Sequence, residues 1–227
     1  MSHLATRWSM VHPPLLGPAV LGPLATELRS RGYVVVLPDL RDAVEHAAGW
    51  PDRAVAACRA LGPADAVLGF SGAGPLLPAV AVATGARRVV LVDAVLPARH
   101  GATVPGDRIR AFVLSRRRED RIAPWPQWWP PGTVEGELPD AAVREAVCAE
   151  ARSLPADFYD VAVPVPERWP SRAVRYVQLS PGYQESADDA RARGWEVTGD
   201  GAGVHLDVAG RAARVADLVL GPTPAPR

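Results

Sequence analysis

The sequence predicts an α/β fold: a mostly parallel sheet with helices on both faces, interrupted by a helical cap insertion. Three observations predict it. Short β-branched runs alternate with longer helical patterns from Trp8 to Val92. The alternation stops after Pro97, where a stretch rich in Pro and Trp begins, and it resumes at Val174. An insertion that breaks a regular α/β rhythm is usually functional. The expected organisation is one core, residues 1–97 and 171–227, with a cap of 98–170.

The elements follow in order. Trp8 to Val11 reads as the first strand. A helix is expected over Val20 to Arg31, because Leu21, Leu24, Ala25 and Leu28 share one face and Gly32 stops it. Tyr33 to Leu37 is an apolar β-branched run and reads as a strand buried on both faces. Next come a helix from Asp52 to Leu61, a strand from Ala66 to Phe70, a helix from Gly74 to Thr84 and a strand from Arg88 to Val92. The insertion carries two helical patches, Asp107 to Arg117 and Asp140 to Arg152, with Asp140 as N-cap. A strand from Val174 to Leu179, a helix from Glu185 to Arg193, a short strand from Trp195 to Thr198 and one helix from Leu206 to Leu220 complete the pattern.

Composition excludes several classes of function. The 227 residues carry 25 basic and 25 acidic side chains, so no basic footprint for nucleic acid exists. Every basic residue is Arg, which leaves no lysine for Schiff-base chemistry. With abundant Ala, Pro and Gly, this marks a high-GC coding bias and fits specialised metabolism. Cys58 and Cys148 are too few for a zinc site or a disulfide framework and are expected in the core. No stretch approaches a membrane span or a cleaved leader, so a cytoplasmic protein without a membrane partner is expected. His3, His46 and His100 are expected in solvent, and Gly221 to Arg227 as a frayed tail.

The chemistry centres on Val67-Leu68-Gly69-Phe70-Ser71-Gly72-Ala73-Gly74. A strand, a serine between small residues and a helix form the turn that presents a nucleophile. The reason is steric: strand and helix approach closely there, so Gly69 and Ala73 must be small, and Gly74 is expected to add slack. The turn lifts Ser71 Oγ above the carboxyl end of the sheet. The turn also aims the first amides of the next helix, with their partial positive charge, at the same point.

His205 is the candidate base. It follows the last strand in Gly199-Asp200-Gly201-Ala202-Gly203-Val204-His205, a loop supple enough to bring an imidazole back over the sheet. The acid has two candidates. Asp93 directly follows Val89-Val90-Leu91-Val92 and should stand at the catalytic edge, where a buried carboxylate needs a partner. Glu185 is the only carboxylate near the turn after the Val174 strand. Asp93 is preferred; Asp207 is too near His205 in sequence to orient it. His12 is expected to hold the loop after the first strand.

These segments together resemble the α/β-hydrolase fold superfamily, and within it a compact bacterial serine hydrolase lacking the N-terminal β-hairpin. The matching pieces are Val11-His12-Pro13-Pro14-Leu15-Leu16-Gly17-Pro18, Leu37-Pro38-Asp39-Leu40-Arg41, the turn around Ser71, Leu91-Val92-Asp93-Ala94 and the His205 segment. The resemblance implies a Ser71–His205–Asp93 site and an oxyanion hole built from the Gly72 amide and one amide of the loop at Pro14–Leu16. Pro13 and Pro14 have no amide hydrogen, so the second donor is Leu15 or Leu16, with Leu15 the candidate.

The cap segment Pro124-Trp125-Pro126-Gln127-Trp128-Trp129-Pro130-Pro131 holds three tryptophans stiffened by proline. With Phe70 and Tyr159, Trp125, Trp128 and Trp129 are the candidate substrate-binding residues. The expected function is a cofactor-free, metal-free serine hydrolase for a carboxylic ester or thioester of a small to medium apolar or aromatic molecule. The alternatives are a non-hydrolytic acid/base enzyme on the same scaffold and a ligand-binding pseudo-hydrolase. The oligomeric state stays open, with a homodimer among the options.

Overall fold

The computed structural model describes residues 6–169 and 173–221. His3, the expected tail from Pro222 and the expected cap-to-core junction at 170–171 lie outside the described residues.

Six strands form the central sheet: β1 (Arg7–Val11), β2 (Val34–Val36), β3 (Ala66–Phe70), β4 (Arg88–Val92), and, after the insertion, β10 (Ala173–Val177) and β11 (Glu196–Thr198). Their order is β11-β10-β4-β3-β1-β2, and every pairing is parallel. Parallel neighbours require crossovers, which helices supply. On one face lie α1 (Gly22–Ser30), α8 (Asp207–Gly210) and α9 (Ala212–Leu220); on the other lie α2 (Trp50–Ala60), α3 (Leu77–Thr84) and α7 (Gln184–Ala192). Alternate side chains of one strand feed the two layers. In β4, Val89 and Leu91 join the α2/α3/α7 layer, while Val90 and Val92 join the α1/α9 layer.

Between β4 and β10 the chain leaves the sheet. This stretch carries β5 (Ala102–Thr103), α4 (Asp107–Leu114), β6 (Arg117–Arg118), β7 (Arg121–Ile122), α5 (Thr133–Glu137), α6 (Ala141–Glu150), β8 (Leu154–Pro155) and β9 (Val163–Pro164). β5 pairs with β9, and β6, β7 and β8 form a second small antiparallel sheet. The insertion is tied to both layers. The Glu150 carboxylate accepts from the Ala19 amide at 2.6 Å, and Leu138 and Val147 bury in the α1/α9 layer. Phe158 stacks on Trp50 of α2 with ring centres 4.6 Å apart.

Several expectations are corrected here. The Tyr33–Leu37 strand is shorter and is not covered on both faces: β2 is an edge strand, and Val34 is 41% exposed. Strand order, which local composition does not encode, decides that. The helix expected from Val20 begins as a 3₁₀ turn over Pro18–Leu21, because Pro23 has no N–H for the next helical bond. Pro75 and Pro78 impose the same change after β3, where Ser71–Leu76 is 3₁₀ and α3 starts only at Leu77. The last helix divides at Arg211, whose backbone leaves the helical region. The expected Asp107–Arg117 helix stops at Leu114, since Arg117 turns into a hairpin closed by Glu119 at φ 56°. Asp140 does cap α6, accepting from the Val143 amide at 3.0 Å. Cys58 is fully buried in α2. Among the described residues no helix is long and apolar enough to cross a membrane.

Candidate active site

The chain runs outward from β1 to β2 and then returns to the other side of β1 for β3. Such a reversal leaves a crevice at the carboxyl ends of the strands. The loops after β1, β3, β4, β10 and β11 all open there, and each contributes to one cluster.

Ser71 follows β3 at φ 55°, a strained conformation for a residue with a side chain. The geometry explains the small neighbours. A Cβ on Gly69 would lie 2.8 Å from Leu77, and Ala73 is fully buried. Gly74 provides no slack, contrary to expectation. A Cβ there would collide with the carbonyl oxygen of Val95, whose amide bonds Ser71 O at 3.0 Å. Backbone on both sides prevents relief. Gly74→Ala is therefore expected to destabilise the fold by about 3 kcal/mol, lowering the melting temperature by roughly 6–12 °C. Thermal unfolding by circular dichroism checks this.

His205 reaches Ser71 from the loop after β11. Its Nε2 lies 3.1 Å from Ser71 Oγ and its Nδ1 3.1 Å from Asp93 Oδ2. The glycines of that loop let it lie flat on the strand-end backbone: a Cβ on Gly199 would strike Gln178 O, and the Gly203 amide bonds Leu179 O at 2.8 Å. Asp207 braces the same loop, accepting from the Val204 amide and facing Arg211 and Arg214 rather than His205. Asp93 sits at φ 38° and is completely buried. Its carboxylate accepts from Leu179 N at 2.7 Å, Ser180 N at 3.1 Å and Ser180 Oγ at 2.6 Å, besides the imidazole. These donors offset the cost of burying the charge. Glu185, the alternative acid, is exposed on α7.

The loop after β1 meets the serine turn from the other side. His12 is buried there. The Leu40 amide donates to its Nε2 at 2.9 Å, so the ring proton is on Nδ1, which faces Pro13 O at 3.0 Å. Burial holds its pKa below the ordinary value. The loop thus hangs on a neutral imidazole. Leu16 N–H is used in a turn to Pro13 O at 3.1 Å, so of the two candidate donors it is the Leu15 amide that has no acceptor among the described residues. A Cβ on Gly72 would lie 3.4 Å from Pro14 Cδ, so the Gly72 and Leu15 segments are in contact.

A cavity of about 370 Å³ opens on Ser71 and His205. Trp125, Trp128, Trp129 and Tyr159 line it, with Ile109 and Phe112 from α4. A smaller apolar cavity of about 150 Å³ adjoins it at Gly72, Val95 and Tyr159. Phe70 does not line either cavity, which corrects its expected role. It points into the α1/α9 layer, fully buried, and stacks on the His205 ring with centres 4.5 Å apart. The other face of that imidazole carries Tyr183, 4.8 Å away and within 10° of parallel, with its hydroxyl 3.2 Å from Ser71 Oγ. Sequence reasoning missed Tyr183 and Ser180. Both lie in the turn after β10, which holds no aspartate; the hydroxyl-bearing run Ser180-Pro181-Gly182-Tyr183 is the signal the sequence offers there.

No protein-family model matches the chain, and no curated protein matches it in sequence. Solved structures do. An extracellular α/β-hydrolase from a Paenibacillus species superposes with TM-score 0.71 at 17% identity, covering 95% of this chain and 98% of that one. Tomato methylketone synthase I, complexed with 2-tridecanone, gives 0.73 at 13% identity over 96% and 97%. A polyneuridine aldehyde esterase variant gives 0.70 at 16% identity over 96% and 98%. Similarity of this kind speaks to architecture, and it agrees with the sheet order and the five loops described above: the chain has the α/β-hydrolase fold.

Proposed function

We propose that the protein is a serine hydrolase that cleaves a carboxylic ester or thioester of a small to medium apolar molecule without a cofactor. The observation that carries this reading is the continuous hydrogen-bonded line Ser71 Oγ, His205 Nε2, His205 Nδ1, Asp93 Oδ2, with 3.1 Å at both links. In this reading Ser71 attacks the acyl carbon while Nε2 takes its proton. Asp93 keeps the other ring proton on Nδ1, so that Nε2 is free to act as base, and stabilises the imidazolium that forms. The Gly72 and Leu15 amides hold the oxyanion. The imidazolium then protonates the leaving group, and water repeats the sequence in reverse to free the acid. The aromatic lining of the 370 Å³ cavity supports an apolar substrate.

A fluorophosphonate probe is expected to label Ser71 stoichiometrically, located by peptide mass spectrometry. The same preparation is expected to hydrolyse nitrophenyl esters of short and medium-chain acids. A protein that binds these esters but leaves Ser71 unlabelled would be a ligand-binding module instead.

A further inference from the structure

Among the described residues Ser71 Oγ has two hydrogen-bond partners, and the triad reading uses only one. The other is Tyr183 Oη at 3.2 Å. The direction of that hydrogen bond follows from the first. When Nε2 accepts the serine proton, Oγ has no hydrogen left to give, so the phenol donates to Oγ. Its proton is firmly held: burial, opposed by the Ser71 hydrogen bond and reinforced by the nearby Asp93 charge, pushes the hydroxyl up to about 12. At neutral pH Tyr183 is therefore a fixed donor.

Its position relative to the other donors matters. In the proposed function the Gly72 and Leu15 amides serve the oxyanion from the side of the loop after β1, whose Pro14 meets Gly72. Tyr183 lies against the imidazole, ring to ring, and lines the larger cavity. In a tetrahedral intermediate on Ser71, one oxygen faces the amides. The leaving oxygen must face Nε2 to receive its proton, and that is the side on which the phenol stands.

We infer that Tyr183 is a further catalytic residue, donating a hydrogen bond to the leaving-group oxygen as the tetrahedral intermediate collapses, and that the site is built for oxygen esters of aliphatic alcohols rather than for thioesters. The inference rests on the serine-hydrolase reading. In the step, the bond between the acyl carbon and the leaving oxygen breaks and its electron pair goes to that oxygen. The oxygen takes the proton from Nε2, the carbonyl re-forms on the acyl-enzyme, and His205 returns to neutral. Tyr183 keeps its own proton throughout and hands its hydrogen bond from Oγ to the departing oxygen. A developing alkoxide is a strong acceptor and leaves poorly without help. A sulfur leaving group is a weak acceptor and gains little from the same donor.

The test is a leaving-group series. Esters of one apolar acid with nitrophenol, phenol, trifluoroethanol and ethanol, and the matching ethyl thioester, are assayed with the native protein and Tyr183→Phe. The variant is expected to lose kcat/KM progressively along the series, from a few-fold at nitrophenol to about 100-fold at ethanol, the size typical of acid assistance. The thioester is expected to lose no more than the nitrophenyl ester. An equal loss at every leaving group would mean that the hydroxyl only positions Ser71 Oγ, and no loss at the ethyl ester would mean that the ring packs His205 and the hydroxyl does nothing; either overturns the inference. One arm needs no variant: the native protein is expected to turn over the ethyl ester faster than the ethyl thioester, and the reverse order overturns the substrate class. Failure of the parent reading is separable, because it appears as an unlabelled Ser71 in native protein, whereas a labelled Ser71 with a flat leaving-group profile removes Tyr183 alone.

Discussion

Ser71→Ala is expected to lower kcat/KM on any ester the protein hydrolyses by at least about 10⁴-fold, the scale on which removal of a serine nucleophile acts. The reason is that, in the proposed function, the change removes the attacking oxygen with its two hydrogen bonds and leaves the rest of the site in place. Ser71 sits at φ 55° with its carbonyl oxygen held by the Val95 amide, and alanine keeps that backbone bond. The Gly72 and Leu15 amides and the aromatic cavity remain, so substrate still binds and KM should change little. Residual turnover, where detectable, would reflect those amides and bound water. Stability should shift by no more than about 1 kcal/mol, since the lost partners His205 Nε2 and Tyr183 Oη both border an open cavity where water can replace Oγ. Steady-state kinetics with thermal unfolding on the same samples checks both parts. Turnover retained within tenfold would remove Ser71 from the chemistry.

How far the sequence predicts this site depends on the range of the signal. The turn at Ser71 is legible because its requirement is local: strand, small residues and helix stand next to one another in the chain. Asp93 is legible for the same reason, as a carboxylate at the tip of an apolar run. His205 needs the additional knowledge that the last loop returns over the sheet. Tyr183 has only a weak local mark, the hydroxyl-bearing run that it ends. Its significance comes from a ring stack on His205 and a contact with Ser71 that is 112 residues distant in sequence. The roles of Phe70 and Gly74 invert for a similar reason. Phe70 alternates inward from β3, and only the three-dimensional path of the chain after β4 reveals that Gly74 is crowded rather than loose. Edge position is equally non-local: Val34-Val35-Val36 reads as a central strand, yet the crossover to β3 leaves β2 at the rim. Where proline interrupts a helical pattern, at Pro23, Pro75 and Pro78, the chemistry was available in the sequence and outweighs periodicity.

Asp93→Asn is expected to cost about 10³- to 10⁴-fold in kcat with KM nearly unchanged, the effect of reversing an orienting hydrogen bond. The carboxylate is an acceptor to four donors: Leu179 N, Ser180 N, Ser180 Oγ and His205 Nδ1. A carboxamide has one accepting oxygen. If that oxygen faces the Leu179 amide, the amide nitrogen faces Ser180 Oγ and Nδ1. The hydroxyl can rotate to accept, but the imidazole can accept at Nδ1 only by carrying its proton on Nε2, aimed at Ser71 Oγ. The base is then present, in position and unable to take a proton. Asparagine also suits the backbone, since φ 38° lies in the region it tolerates better than most residues. Asp93→Ala should differ in kind. It leaves two buried backbone N–H groups without acceptors, at about 1–3 kcal/mol each, so lost activity should come with a lower melting temperature. Glu185→Gln should leave kcat within about twofold of the native protein and the melting temperature unchanged, because that carboxylate is exposed on α7 and outside the cluster. An Asp93→Asn protein with native turnover, or a Glu185→Gln protein without it, would move the orienting role away from the tip of β4.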